Sequence, residues 1–324
     1  MLEATFSSEN ATLYRYPGCG NVERFIATTP ETRRICNDPR LAGVAYTDAL
    51  ASACASILKT ADFQFEENQG VVVNILRGGL NYGLRGALAD AYGWNHHTTC
   101  FISAQRARDD ADSEAWHITE NAYRKVYFPK QTSLFIGDVV ATGTSLRYAL
   151  GELVNSARDA GAELLNIVFF TIGGPIASDI LQEVDAECRN RFPQYRRTIL
   201  IYLEGCFAVP APDSPLTIRL TGTDLVRRDS EMAPEFVASQ YEDPAFPLER
   251  CTIYDAGSRA FYVREYAYDV QHYWRQVLDL AHHGMTFHDY LAERFPSLDP
   301  SRFGDVSLRE IAQRQIARMQ LLLP

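Results

Sequence analysis

The sequence predicts an α/β fold with a parallel central sheet flanked by helices and a helical appendix at the C-terminus. Three observations carry this. Short apolar runs rich in β-branched residues, at 71–76, 132–136, 164–172 and 198–203, alternate with segments of helical spacing. The 71–76 run is apolar on both faces rather than at alternate positions, which fits a strand covered by helices on both sides. The last 60 residues show helical spacing only.

Taken in order, the first 40 residues read as irregular, with Pro17-Gly18-Cys19-Gly20 as a turn. Small and apolar residues over 41–58 recur at near-helical spacing ahead of the first strong strand, 71–76, which ends at Arg77-Gly78-Gly79. A helical segment follows through Ala89. A second unit starts at 132–136, passes a glycine-bearing loop, and enters a helix with Leu146, Leu150, Leu153, Val154 and Ala157 on one face. Gly161 closes that helix, and strands at 164–172 and 198–203 follow. Between about 210 and 247 prolines, acids and polar residues break the pattern, which reads as an excursion from the sheet. Ser307-Leu-Arg-Glu310 is a capping-box signature ahead of a stripe of Leu308, Ile311, Ala312 and Met319. The expected division is a core over 1–265, including the excursion, and a helical extension over 266–324.

Composition bounds the function. The 324 residues are 46% hydrophobic and 22% charged, ordinary for a soluble globular chain with a sizeable core. The net charge of −10, from 41 acidic and 31 basic residues, speaks against nucleic acid or an anionic membrane as partner. Seven scattered cysteines with no C-x-x-C pair predict free thiols in a reducing compartment rather than disulfides or zinc. No secretory signal and no run of roughly 18 apolar residues is present, so a cytoplasmic location is expected. The pairs His96-His97 and His282-His283 lack metal-ligand spacing, and no transition-metal site is expected. The tyrosines between 254 and 273 read as packing rather than as a base-stacking surface.

Candidate chemistry concentrates in Asp138-Val-Val-Ala-Thr-Gly-Thr-Ser145. A buried strand delivers an acid at its carboxyl end, where ligands bind in open α/β sheets. A small-residue loop then opens onto a helix start, whose backbone N–H groups and dipole suit an anion. Thr142, Thr144 and Ser145 add hydroxyls, and Gly143 permits close approach. A carboxylate cannot itself hold phosphate, so Asp138 beside such a cradle points to sugar hydroxyls or a metal ion. The alternative at this point is a plain strand-to-helix turn whose Thr and Ser only cap the helix.

The segment resembles the ribose-phosphate signature of type I phosphoribosyltransferases, and among them the uracil phosphoribosyltransferases. Three further segments resemble that family in the same order: Ile75-Leu-Arg-Gly-Gly-Leu80, Arg108-Asp109-Asp110 running on to Tyr123-Arg-Lys-Val-Tyr-Phe-Pro129, and Ile253-Tyr-Asp-Ala-Gly-Ser-Arg-Ala-Phe261. The resemblance covers roughly residues 40 to 265. It implies the family fold with a hood over the sheet, and phosphoribosyl diphosphate with Mg²⁺ as donor. Phosphoribose would pass to a nucleobase or related heterocycle, and a homodimer is the assembly it suggests. By the same resemblance, Asp138 would hold the ribose hydroxyls and touch Mg²⁺ through the substrate. Ala141, Thr142, Gly143, Thr144 and Ser145 would bind the 5-phosphate, and Arg77, Gly78 and Gly79 the diphosphate. Arg108 would share the leaving group's charge, and Tyr254, Asp255, Gly257 and Arg259 would close over the base. Arg124 and Lys125 fit either a lid or a solvated surface.

The chain departs from the family pattern at four positions. Gly137 stands where many members have a first acid. Ala141 stands where purine-specific members carry a carboxylate, which favours a pyrimidine-like acceptor. Tyr254 replaces a glycine, and Ser258 an aspartate. Two functions fit: transfer of phosphoribose to a pyrimidine-like base, or non-catalytic sensing of the donor or a nucleotide.

Overall fold

In this computed structural model the chain is described except for Met1, Arg77, 109–115, 121–122, Pro212, Pro215, Thr221 and Pro324, and for the side chains of 105–108 and 116–120. Among the described residues the strands are β1 (Glu3–Ser7), β2 (Thr12–Arg15), β3 (Glu23–Thr28), β4 (Gly70–Leu76), β5 (Thr98–Ser103), β6 (Gln105–Arg108), β7 (Trp116–Glu120), β8 (Arg124–Lys125), β9 (Gln131–Val140), β10 (Glu163–Gly173), β11 (Arg197–Ala208) and β12 (Val226–Met232). The helices are α1 (Pro30–Asn37), α2 (Val44–Ala61), α3 (Leu84–Tyr92), α4 (Thr144–Asp159), α5 (Ile176–Arg191), α6 (Pro234–Ser239), α7 (Ala256–Phe261), α8 (Val263–His282), α9 (Phe287–Arg294) and α10 (Leu308–Gln320). A 3₁₀ turn, Gly78–Tyr82, follows β4.

The result is a mixed α/β fold around a sheet of order β1-β2-β3-β11-β10-β9-β4-β5-β8, with β12 added to β11. The sequence predicts a parallel sheet, and this holds for its centre: β3, β11, β10, β9, β4 and β5 pair in parallel. Its margins differ, since β1–β2, β2–β3, β5–β8 and β11–β12 are antiparallel. The central strands are buried along nearly their whole length, which is why they read as mostly apolar runs.

Chain order places the helices. From β4 through α3 the chain steps outward to β5, whereas from β9 through α4 it steps the opposite way to β10. Right-handed crossovers in opposite directions put their helices on opposite faces. The packing agrees, because α2 lies against α3 and α1, while α4 lies against α5. The reversal between β9 and β4 is a topological switch point, and a crevice opens there at the strands' carboxyl ends.

Two readings of the sequence change. The first 40 residues are three strands and a helix, not irregular. β1 is an exposed edge strand and β2 has four residues, so neither has a pattern strong enough to announce itself; pairing with β3, which in turn joins β11, sets them. The excursion at 210–247 contains β12 and α6. Buried apolar residues form two clusters, one around the sheet and one of C-terminal residues including Tyr254, Tyr266, Tyr273, Trp274, Tyr290 and Ile311. Of the tyrosines of 254–273, Tyr254, Tyr266 and Tyr273 supply packing in that second cluster, while Tyr262 and Tyr268 are exposed. No described helix is long and apolar enough to cross a membrane.

Candidate functional site

A cleft of about 540 Å³ lies at the switch point between β9 and β4. Its walls bring together Gly78, Asp138, Ala141, Gly143 and Ser145 with Tyr254, Asp255 and Gly257. Three sequence segments far apart in the chain therefore meet where sheet topology alone would place a ligand.

β9 is buried from Thr132 to Gly137 and then surfaces, so Asp138 stands half-buried at the cleft. The Asp138 Oδ1 accepts the Val139 N–H at 2.9 Å. The turn after β4 abuts it: a Cβ on Gly78 would come within 2.6 Å of that oxygen. A side chain here would have to displace the Asp138 carboxylate from its position. Gly79 is held as closely, 3.1 Å from the Gly137 carbonyl oxygen by the same measure.

The acid missing at position 137 has a steric cause. A Cβ there would lie 2.3 Å from Cγ of Tyr82, whose ring fills the space beside the strand. The Tyr82 hydroxyl donates to the Asp138 carbonyl oxygen at 2.9 Å and accepts the Ile172 N–H at 3.1 Å. Tyr82 is completely buried, and that burial holds its hydroxyl well above the ordinary phenol range, so it remains a neutral clamp between β9 and β10.

The loop after β9 turns through Gly143 with φ +76° directly before α4. Any side chain at this residue would be strained by that φ and would strike Ile180 of α5, 2.4 Å from the Cβ position. No side chain caps α4, so its first-turn N–H groups keep their anion-binding character. Ala141, Gly143, Ser145 and Leu146 line the cleft, while Thr142 and Thr144 are half-buried outside that lining. The Ser145 hydroxyl donates to the Ala104 carbonyl at 3.0 Å, which ties the loop to β5. The cradle is thus chiefly backbone rather than the row of hydroxyls that the sequence suggests.

On the opposite wall, Asp255 caps α7: its Oδ1 accepts the N–H groups of Gly257 at 2.8 Å and Ser258 at 3.0 Å. Asn81 of the 3₁₀ turn donates to the Ala256 carbonyl at 3.1 Å, joining this wall to the Gly78 side. Phe261 and Tyr262, each 45% exposed, present aromatic surface to the cleft. Tyr254 turns its hydroxyl away, donating to Glu249 at 3.0 Å. Arg259 lies outside the cleft altogether. It is buried and donates to the carbonyls of Ile35, Asp38 and Leu41 at 2.7–3.0 Å, with Tyr46 and Tyr266 against its guanidinium.

The remaining sequence candidates are placed as follows. Arg77, Asp109 and Asp110 lie outside the described residues, as does the Arg108 side chain, although its backbone belongs to β6. Arg124 is exposed and pairs with Glu152 of α4, and Lys125 is exposed. Sequence reasoning missed the far wall, formed by Thr223, Asp224, Arg250 and Asp269. Arg250 donates to Asp269 at 3.0 Å and pairs with Asp224 at 3.2 Å. No local spacing marks these residues, because they converge only when β12, α8 and the chain before α7 pack together.

No family model matches the chain, and no curated protein matches it by sequence. Among solved structures it is similar to a hypoxanthine phosphoribosyltransferase from Staphylococcus aureus, at 16% identity over 53% of this chain and 73% of that one, with a TM-score of 0.25. A hypoxanthine-guanine phosphoribosyltransferase from Bacillus anthracis gives 18% identity, 42% and 73% coverage, and a TM-score of 0.26. The hypoxanthine phosphoribosyltransferase of Trypanosoma cruzi gives 14%, 64% and 92%, and 0.25. These likenesses are slight, and the chemistry of the cleft has to follow from its own residues.

Proposed function

We propose that the cleft binds phosphoribosyl diphosphate and that the protein transfers its phosphoribose to a pyrimidine-like base. One observation carries this reading. A strand-end carboxylate, an uncapped helix start and a glycine turn share a single cleft with a loop that faces them across it. A ligand with hydroxyls between two phosphate groups matches that order of functional groups.

In this reading the backbone of 142–145 and the start of α4 anchor the 5-phosphate. Asp138 accepts from the ribose hydroxyls. The diphosphate lies along Gly78 and Gly79, where absent side chains let it approach the backbone. Arg77 and Arg108 are assigned to the leaving group from their sequence positions. Among the described residues no group of three acidic, histidine or cysteine side chains could cage a metal ion. Mg²⁺ is therefore expected to arrive on the diphosphate's own oxygens, with Asp138 as its protein contact, and it would neutralise charge on the leaving group. A nitrogen of the acceptor displaces diphosphate at ribose C1. The C–O bond breaks with its electron pair on diphosphate, and the new C–N bond forms on the opposite face. The protein contributes chiefly by fixing both ends of the donor. Ala141 offers no proton acceptor, which supports an acceptor that needs no general base.

The test is diphosphate release from purified protein given the donor, Mg²⁺ and a panel of bases. Asp138→Asn should weaken donor binding at least about tenfold, the scale of a hydrogen bond to a charged group. Unchanged binding would remove the assignment. A second reading, a non-catalytic binder of the same donor, is favoured by Tyr82, which occupies the place of a second ribose-facing acid. Donor binding with no product from any base would establish it.

A further inference from the structure

The wall that carries Asp255 is held from behind by the C-terminal helices, and one buried side chain joins the two. Glu249 is 2% exposed. Its Oε2 accepts the Tyr254 hydroxyl at 3.0 Å, and its Oε1 accepts Trp274 Nε1 of α8 at 3.2 Å and Gln315 Nε2 of α10 at 3.1 Å. Arg294 of α9 donates to the Glu249 carbonyl at 2.8 Å and also to that of Arg250. Three helices therefore meet on two consecutive residues. From there the chain alternates: Glu249 and Cys251 point into the helical cluster, while Arg250 reaches the cleft. Tyr254 belongs to both, lining the cleft with its ring and bonding Glu249 with its hydroxyl.

We infer that Glu249 is a positioning residue for the acceptor: through Tyr254 it fixes the wall 253–258 against the C-terminal helices, and the acceptor base is recognised only when that link is made. The inference rests on the transferase reading of the cleft and gives the C-terminal helices a role in it. A hydrogen bond to a buried carboxylate is stronger than one between neutral groups, and Tyr254 has little freedom while it persists. Losing it frees one residue before Asp255, whose cap organises α7. The donor side is held by contacts of its own, the Val139 N–H on Asp138 and the Ser145 hydroxyl on the Ala104 carbonyl.

The variant that separates this from general damage is Tyr254→Phe, which keeps the packed ring and removes only the hydroxyl. KM for the acceptor should rise about tenfold, the scale of one charged hydrogen bond, with donor affinity and kcat unchanged. Amide exchange at Gly257 and Ser258 should quicken. Glu249→Gln retains an acceptor for Trp274 and Gln315, and should fall between Tyr254→Phe and the parent protein. Parent-like acceptor KM and exchange in Tyr254→Phe would overturn the inference, as would an equal loss of donor affinity. If the parent protein transfers to no base while Tyr254→Phe still loosens the wall, the transferase reading and the acceptor role fail together, and only the fixing of wall 253–258 by Glu249 stands.

Discussion

Position 137 shows how one side chain can decide what its neighbour is allowed to be. Tyr82 bridges the Asp138 carbonyl and the Ile172 N–H, so it is fixed at both ends of its polar reach. With the ring pinned, the strand beside it has no room for a Cβ, and the only acid the cleft can draw from this strand end is Asp138. Gly137→Ala should therefore destabilise the protein by roughly 1–3 kcal/mol, the usual cost of overpacking, read as a lower urea midpoint. In a Tyr82→Ala background the same change should cost far less, and additive losses would show that the two residues do not collide. The glycine is visible in the sequence. Its reason is not, because Tyr82 lies 55 positions away and meets it only after β4 and β9 pair.

At the scale of elements, legibility followed burial. The runs at 71–76, 132–136, 164–172 and 198–203 all became central strands because burial on both faces left them largely apolar. The stripe of α4 was legible for the complementary reason, since one buried face imposes its own period. β1 and β2, on an exposed edge, had no such constraint. Of the cleft, Asp138 and Gly143 were legible from a strand end and a close approach, whereas Gly78 and Asp255 entered only through the family resemblance. Arg259 was legible as important but not in its role. Its guanidinium satisfies three carbonyls around the end of α1 and locks α7 to it, and the Gly43 N–H donates to the Arg259 carbonyl at 2.8 Å. An ammonium cannot span the same fork. Arg259→Lys should lower stability by about 2–3 kcal/mol while leaving donor affinity unchanged. A tenfold loss of donor affinity with normal stability would return Arg259 to the site.

Over the whole molecule, two buried carboxyls set an expected response to pH. Burial pushes Glu204 up to about 7 against the pull of the Thr32 hydroxyl and its other hydrogen-bond donors, and it pushes Glu249 up to about 7 against Arg227, Tyr254 and Gln315. In the unfolded chain both would titrate near the ordinary value of 4.5. Between 4.5 and 7 the folded protein keeps protons that the unfolded chain has already lost. Raising the pH through this window therefore favours unfolding, and the stability present below it is lost as pH passes 7. The loss is on the order of 3 kcal/mol per carboxyl if each shift is fully expressed. His97 acts the other way, because burial and Arg85 hold it below its ordinary value, so the unfolded chain gains a proton first as pH falls. It is one half-buried group against two fully buried ones, and the net slope should remain downward from pH 5 to pH 8. Urea unfolding across that range is the measurement. Glu204→Gln and Glu249→Gln should each flatten the slope, and the double variant should remove most of it. A slope unchanged in the double variant would mean that these carboxyls titrate alike in both states. The two residues have different surroundings, Glu204 on the sheet and Glu249 against the C-terminal helices. If the sheet and the helical cluster unfold together, both variants should shift a single transition; if they unfold separately, Glu249→Gln should move only the transition that releases the C-terminal helices.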